Sequence, residues 1–110
     1  MEEPVKGDVV VVPFPFSDLS ATKRRPAMVV AVLPGDDVIL CQITSQTVRD
    51  PFAIPLRETD FDSGSLKKAS NIRPNRLFTA DRALIVAAIG RIKPGAIRVV
   101  IEAIVRIVEA

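Results

Sequence analysis

The chain reads as a small, mainly β domain, a strongly bent antiparallel sheet closing as a barrel, with one C-terminal helix. Three observations carry this reading. Apolar runs at period two (Val9 to Phe16, Ala27 to Leu33, Val38 to Ile43) follow one another between turn residues. A helical period occurs once, in Ile97, Val100, Ile101, Ile104, Ile107 and Val108. With 110 residues, 48% of them hydrophobic, the chain can build one core without covalent staples but not two. Residues 1–110 are therefore expected to form a single domain.

The elements follow in order. Val10, Val12, Phe14 and Phe16 share one face of the first strand, and Val9, Val11, Pro13 and Pro15 the other. Proline cannot donate to a ladder, so the distal half of this strand must lie at an edge or a bulge. Ser17 to Lys23 lacks periodicity and reads as a polar loop. Ala27 to Leu33 is a second strand, stopped by the turn Pro34-Gly35-Asp36-Asp37, and Val38 to Ile43 returns as its hairpin partner. Phe52 to Leu56 can make a short strand, broken by Pro51 and Pro55, and Thr59 to Gly64 is expected to be a loop. Ser65 to Ile72 can hold another short strand, Arg76 to Ala80 a further one, and Leu84 to Ile92 a helical turn running into a strand. Pro94 suits the first turn of the final helix, because its fixed φ and missing N–H cost nothing there. Arg98, Glu102 and Arg106 are spaced i,i+4 on the polar side of that helix. Its apolar stripe serves core burial and, on this reading, a share in a dimer interface.

Composition excludes several chemistries. Histidine is absent, which removes a His general base, Ser-His-Asp and Cys-His arrangements, and Cys/His zinc sites. No Gly-rich phosphate loop or dinucleotide fingerprint occurs, and no cofactor is expected. Glu58, Asp60 and Asp62 alternate but lack the glycine and closing Glu of a calcium loop, so they read as solvated and no metal is expected. The single cysteine, Cys41, lies in an apolar run and reads as a packed thiol in a reducing compartment. No apolar run is long enough to span a membrane, and Met1-Glu2-Glu3-Pro4 is unlike a signal peptide, so a cytoplasmic location is the expectation. Net charge is only +2 with a sequence pI near 9.0, but the charges are segregated. Lys23, Arg24 and Arg25 are consecutive, and Lys67, Lys68, Arg73 and Arg76 form a second basic stretch. Such stretches either face solvent or make the footprint of an anionic polymer.

The chemistry must then run on Arg, Lys, hydroxyls, amides or carboxylates. Arg25 precedes Pro26, which forces an extended backbone at the start of the second strand. A guanidinium held there can bind phosphate through two parallel donors. Thr44 and Ser45 end the third strand, and hairpin register returns them beside Arg25, about equally far from the Pro34-Gly35 turn. Their hydroxyls satisfy either local backbone groups or a shared anion. Arg73 and Asn75 flank Pro74, with Arg76 following, as either a basic exposed turn or part of the same site. Asp8, after Gly7, reads as a turn cap.

Gly7-Asp8 with its Val-rich strand, Arg25-Pro26 with Ala27-Met28-Val29-Val30, Ile43-Thr44-Ser45-Gln46, and the segment Ser70 to Asp81 occur in an order and spacing that resemble the MazF/PemK toxins of type II toxin–antitoxin modules. The resemblance spans nearly the whole chain. It implies an SH3-like barrel of the CcdB/PemK type, a homodimer, an acidic antitoxin partner through which DNA is bound, and metal-independent, sequence-selective cleavage of single-stranded RNA by 2′-hydroxyl attack. Carried onto this chain, the family's strand-start arginine falls on Arg25 and its threonine on Thr44, with Arg73 as a second cation; these are the expected catalytic residues. Lys23, Arg24, Ser45, Gln46, Asn75 and Arg76 are the expected RNA contacts, and Phe16 or another phenylalanine a stacking surface. Two departures stand out: Asn75 occupies the place of a carboxylate, and Ser17 to Lys23 lacks a histidine that some members carry. The alternatives are a catalytically impaired, nucleic-acid-binding regulatory member, or a CcdB-like toxin that binds a topoisomerase.

Overall fold

The computed structural model describes residues 3–15, 22–45 and 49–110. Within them lie β1 (Asp8–Pro15), β2 (Thr22–Val32), β3 (Asp37–Thr44), β4 (Ile54–Leu56), β5 (Phe61–Gly64), β6 (Ser70–Asp81), β7 (Ala87–Ile92) and α1 (Pro94–Glu109). The strands form one antiparallel sheet in the order β4-β6-β3-β2-β1-β7-β5. It curls into a half-barrel with β4 and β5 at its two edges, in keeping with the mainly β fold and C-terminal helix expected from the sequence.

The strong period-two runs dictate the centre of this sheet. β1 pairs with β2 along its length, from Val9↔Met28 to Pro15↔Thr22, while β7 pairs only with Asp8 to Val11. The distal half of β1, with Pro13, is thus free of a second neighbour, as a strand lacking those N–H donors requires. β2 and β3 form the expected hairpin about the Pro34-Gly35 turn, closed by Leu33 N–H donating to the Asp37 carbonyl at 3.0 Å. Arg82 pins this turn, giving a hydrogen bond to the Gly35 carbonyl at 2.7 Å and an ion pair to Glu3.

Three expectations are corrected. Thr22 and Lys23 lie within β2, paired with Pro15 and Phe14 of β1, and not in a loop; the rest of that segment, 17–21, lies outside the described residues. Phe61–Gly64 is a strand added to β7, preceded by a single 3₁₀ turn at Glu58–Asp60, where a loop was expected. Ser70–Asp81 is one 12-residue strand, not two pieces around a turn. Gln42 pairs with Arg73 and Cys41 with Leu77, so Pro74, Asn75 and Arg76 form a bulge that absorbs the proline. Val108, the last apolar residue of the helical repeat, stands 68% exposed.

Two apolar clusters cover the two faces of the sheet. The first joins Val9, Met28, Cys41, Ile43, Ile72 and Ile92 to Val100 of α1, with Ile97 and Ile104 packed against it. The second comprises Val10, Val12, Ala27, Val29, Val38, Leu40 and Ile85, with Phe14 and Phe78 in edge-to-face contact at 4.7 Å. Truncating a fully buried Ile such as Ile72 to Ala is worth about 2–5 kcal/mol. Cys41 is buried in the first cluster as expected, and burial pushes its thiol up to about 12 despite a hydrogen bond with the Met28 backbone. Asp8 behaves as a cap: it accepts from Val5 N–H at 2.9 Å and from Arg91 Nε at 3.0 Å. No helix is long and apolar enough to cross a membrane.

Candidate anion-binding site

The ladders set the expected chemical residues in register. Arg25 pairs with Val12 of β1. Ala27 pairs with Gln42, and carrying that register two residues outward sets Arg25 opposite Thr44. Gln42 and Thr44 pair in turn with Arg73 and Asn71 of β6. Directly opposed residues project from the same face of a sheet. Arg25, Thr44, Asn71, Gln42 and Arg73 therefore share the face that carries Val10, Val12 and Ala27. They form two neighbouring rows where the apolar cluster ends and polar chemistry begins. Lys23, two residues before Arg25 and opposite Phe14, projects from this face as well. Thr44 is buried, Arg25 and Arg73 are half-buried, and Lys23 is exposed.

The alternate positions, Arg24, Pro26 and Ser45, belong to the opposite face. There they border a groove of about 430 Å³ whose wall also includes Arg25, Lys67 and Lys68. A second groove of about 630 Å³ continues from it past Ser45, Lys67 and Lys68 toward Arg57 and Asn71. Arg25 thus borders the groove while pairing on the face opposite to it. Lys67 and Lys68 were visible in the sequence as part of a basic stretch, but nothing local tied them to Arg24. The loop after β5 does that.

Asn75 and Arg76 are exposed in the β6 bulge. Gln46 and Phe16 lie outside the described residues. Of the other phenylalanines, Phe14, Phe61 and Phe78 pack into the clusters, and Phe52 is the one exposed, at 47%. No cluster of three or more His, Cys, Asp or Glu side chains suited to a metal occurs among the described residues.

Sequence reasoning missed Asp50. It precedes β4, and β4–β6 pairing (Ile54↔Ile72) carries it to Arg73, whose Nε donates to Asp50 Oδ2 at 3.1 Å. The carboxylate is held below its ordinary value chiefly by Phe52 N–H, which donates to Oδ1 at 2.9 Å, then by Arg73 and, more weakly, by a hydrogen bond with the Asn75 side chain. Burial opposes these effects without overcoming them. An ionised carboxylate so engaged orients its partners; it is a poor proton acceptor.

As a whole the arrangement can grip a polyanion. Cations line a groove on one face of the sheet, a guanidinium pair with a buried hydroxyl stands on the opposite face, and Arg25 borders both.

Residues 5–108 match the family of PemK-like, MazF-like toxins of type II toxin–antitoxin systems. Among curated protein sequences, none matches the chain. Among solved structures, an endoribonuclease in complex with its cognate antitoxin from a mycobacterial species is similar at TM-score 0.75 and 14% identity, covering 97% of this chain and 96% of that one. The MazF of the MazE–MazF complex from Deinococcus radiodurans gives TM-score 0.74 at 17% identity, with 96% of each chain covered. The Mycobacterium tuberculosis toxin MazF-mt6 gives 0.72 at 15% identity, over 93% of this chain and 96% of that one. At such identities the likeness is one of fold.

Proposed function

Because this chain belongs to the PemK-like, MazF-like toxins of type II toxin–antitoxin systems, we propose that it is an endoribonuclease that cleaves single-stranded RNA and is restrained by an acidic antitoxin. The observation that carries the reading is the pair of rows holding Arg25, Thr44 and Arg73 on one sheet face, with Arg25 also bordering the cationic groove of Arg24, Lys67 and Lys68 on the other. Structural relatives that are themselves an endoribonuclease bound to its antitoxin, and a MazF bound to MazE, support it.

In the proposed reaction the RNA 2′-hydroxyl attacks its own phosphorus in line, leaving a cyclic phosphate and a free 5′-hydroxyl. Arg25 and Arg73 hold the non-bridging oxygens as charge builds, and Thr44 hydrogen-bonds the same phosphate. Positioned donors of this kind are worth roughly 10²–10³ in rate each. Arginine's high pKa makes the electrostatic role the effective one. The reaction needs the 2′-hydroxyl, so DNA of the same sequence binds without being cut. The strand runs along the groove past Arg24, Ser45, Lys67 and Lys68, with Lys23, Gln46, Asn75 and Arg76 as further contacts. An acidic segment folding onto the same groove excludes RNA. The protein acts as a cytoplasmic homodimer without metal.

Inducing the protein in cells and mapping new RNA 5′ ends tests the reading and yields the target sequence. Cleavage in vitro, abolished by Arg25→Ala and unaffected by EDTA, is the expected result. Cleavage of a DNA oligonucleotide, or loss on chelation, would refute the mechanism. Growth arrest with intact RNA, together with capture of gyrase, would favour a topoisomerase-directed toxin instead.

A further inference from the structure

Asp50 has no role in the reaction just described, yet it is the most completely engaged carboxylate near its residues. Its side chain is 5% exposed and that of Arg73 is 17% exposed, so this ion pair is largely withdrawn from water. The exposed Arg98–Glu102 pair on α1, at 3.5 Å, is by contrast worth little. Phe52 N–H fixes Oδ1 and Arg73 Nε–H fixes Oδ2. The two partners come from two elements: the turn before β4, and β6 where it enters the bulge that excludes 74–76 from the ladder. Pro74, next to Arg73, is fully buried and anchors that bulge.

A guanidinium offers an oxyanion two bidentate edges, Nε with one Nη, or the two Nη groups. Asp50 takes Nε. What Arg73 can present in fork geometry is then its Nη1–Nη2 edge, in a direction set by Asp50.

We infer that Asp50 is the positioning residue of Arg73, turning its Nη edge toward the scissile phosphate. The inference rests on the ribonuclease reading and names a residue of that same site. The charge of Asp50 is what holds Arg73 Nε, so a neutral isostere should release the guanidinium and a carboxylate on a longer arm should keep it in part.

The test uses four variants of the full chain: Asp50→Asn, Asp50→Glu, Arg73→Ala, and Arg73→Ala combined with Asp50→Asn. Two readouts are followed: cleavage of a labelled single-stranded RNA oligonucleotide of mixed sequence, and the NMR signal of the Arg73 Nε–H. Asp50→Asn should lower kcat by roughly tenfold to a hundredfold, the order expected for a misplaced positioning group, with KM within a few-fold. It should also shift the Nε–H signal and speed its exchange. Asp50→Glu keeps the charge on a longer arm and should give a milder version of the same split, which a loss of structural support alone would not. On an Arg73→Ala background, Asp50→Asn should cost nothing further. Should Asp50→Asn not fold, the Asp50→Glu comparison carries both readouts.

An unchanged kcat and Nε–H signal in Asp50→Asn would overturn the inference, as would an additive loss on the Arg73→Ala background. If the wild type binds RNA without cutting it, the ribonuclease reading fails. The Nε–H comparison across Asp50→Asn and Asp50→Glu then still decides whether Asp50 orients Arg73.

Discussion

Gly35 and Gly64 both hold the backbone in the left-handed region, at φ +87° and +71°, but their surroundings differ completely. A Cβ on Gly35 would meet nothing within 4 Å. A Cβ on Gly64 would lie 2.1 Å from the Ile89 carbonyl oxygen and 2.6 Å from Gly90 Cα, where ordinary contact begins at 3.4 Å. Both obstacles are backbone atoms of β7, so no side chain can rotate away. Gly35→Ala should therefore cost only the left-handed strain, about 1–2 kcal/mol. Gly64→Ala should cost that plus an overpacking penalty of about 1–3 kcal/mol, as β5 lifts from β7 at the Gly64↔Gly90 end of its ladder. Urea unfolding at one protein concentration reads the difference. With m of about 1–3 kcal/mol/M, the Gly64→Ala midpoint should fall below that of Gly35→Ala by roughly 1 M. The loop bearing Lys67 and Lys68 follows Gly64 directly, so the same variant should bind single-stranded oligonucleotide more weakly while Gly35→Ala binds normally. Equal midpoints and equal affinities would refute the reasoning.

Four further outcomes are expected. Arg25→Ala should cut cleavage about 10²–10³-fold, and Arg25→Lys should recover only part of it, because a point charge lacks the fork; full recovery in a single-turnover assay would speak against bidentate binding. Replacing Lys67 and Lys68 together by Ala should flatten the dependence of log K on log salt by about 1.4 for a 2′-deoxy single strand, at roughly 0.7 per phosphate contact; an unchanged slope would remove the groove from the binding path. Asp50 has a lowered folded pKa, so its stabilisation is complete above its ordinary value of 3.8 and is lost as pH falls through the lowered one. The stability gap between wild type and Asp50→Asn should accordingly be flat at neutral and mildly acidic pH and close only in stronger acid, as followed by thermal melts; a gap closing near pH 6 would contradict this. Cys41, with its thiol pushed up to about 12 by burial, should react with maleimide only on unfolding; rapid labelling of the native protein would show that the first cluster opens.

How much of this was legible in the chain follows from the range of the forces involved. The hairpin of β2 and β3 and the helix from Pro94 rest on periods and turn residues that act within a few positions. The register that sets Arg25 near Thr44 needs only counting from one turn. Asp8 as a cap and Cys41 as a core thiol follow from their immediate neighbours.

Contacts between distant segments were not legible. Phe61–Gly64 carries weak strand character and becomes β5 because β7 offers a free edge. Ser70–Asp81 runs through Pro74 because a bulge opposite Cys41 and Gln42 takes up the misfit, and Val108 lies beyond the stretch of α1 that the core can cover. The basic residues look alike in sequence, yet strand pleating sends Arg24 to one face and Arg25 to the other. Asp50 gained its partner from β4–β6 pairing, across 23 positions of chain. Local pattern specifies where a strand runs and which residues alternate along it; which charges meet depends on pairing and register, and these are settled when the sheet assembles and its buried ions must find partners.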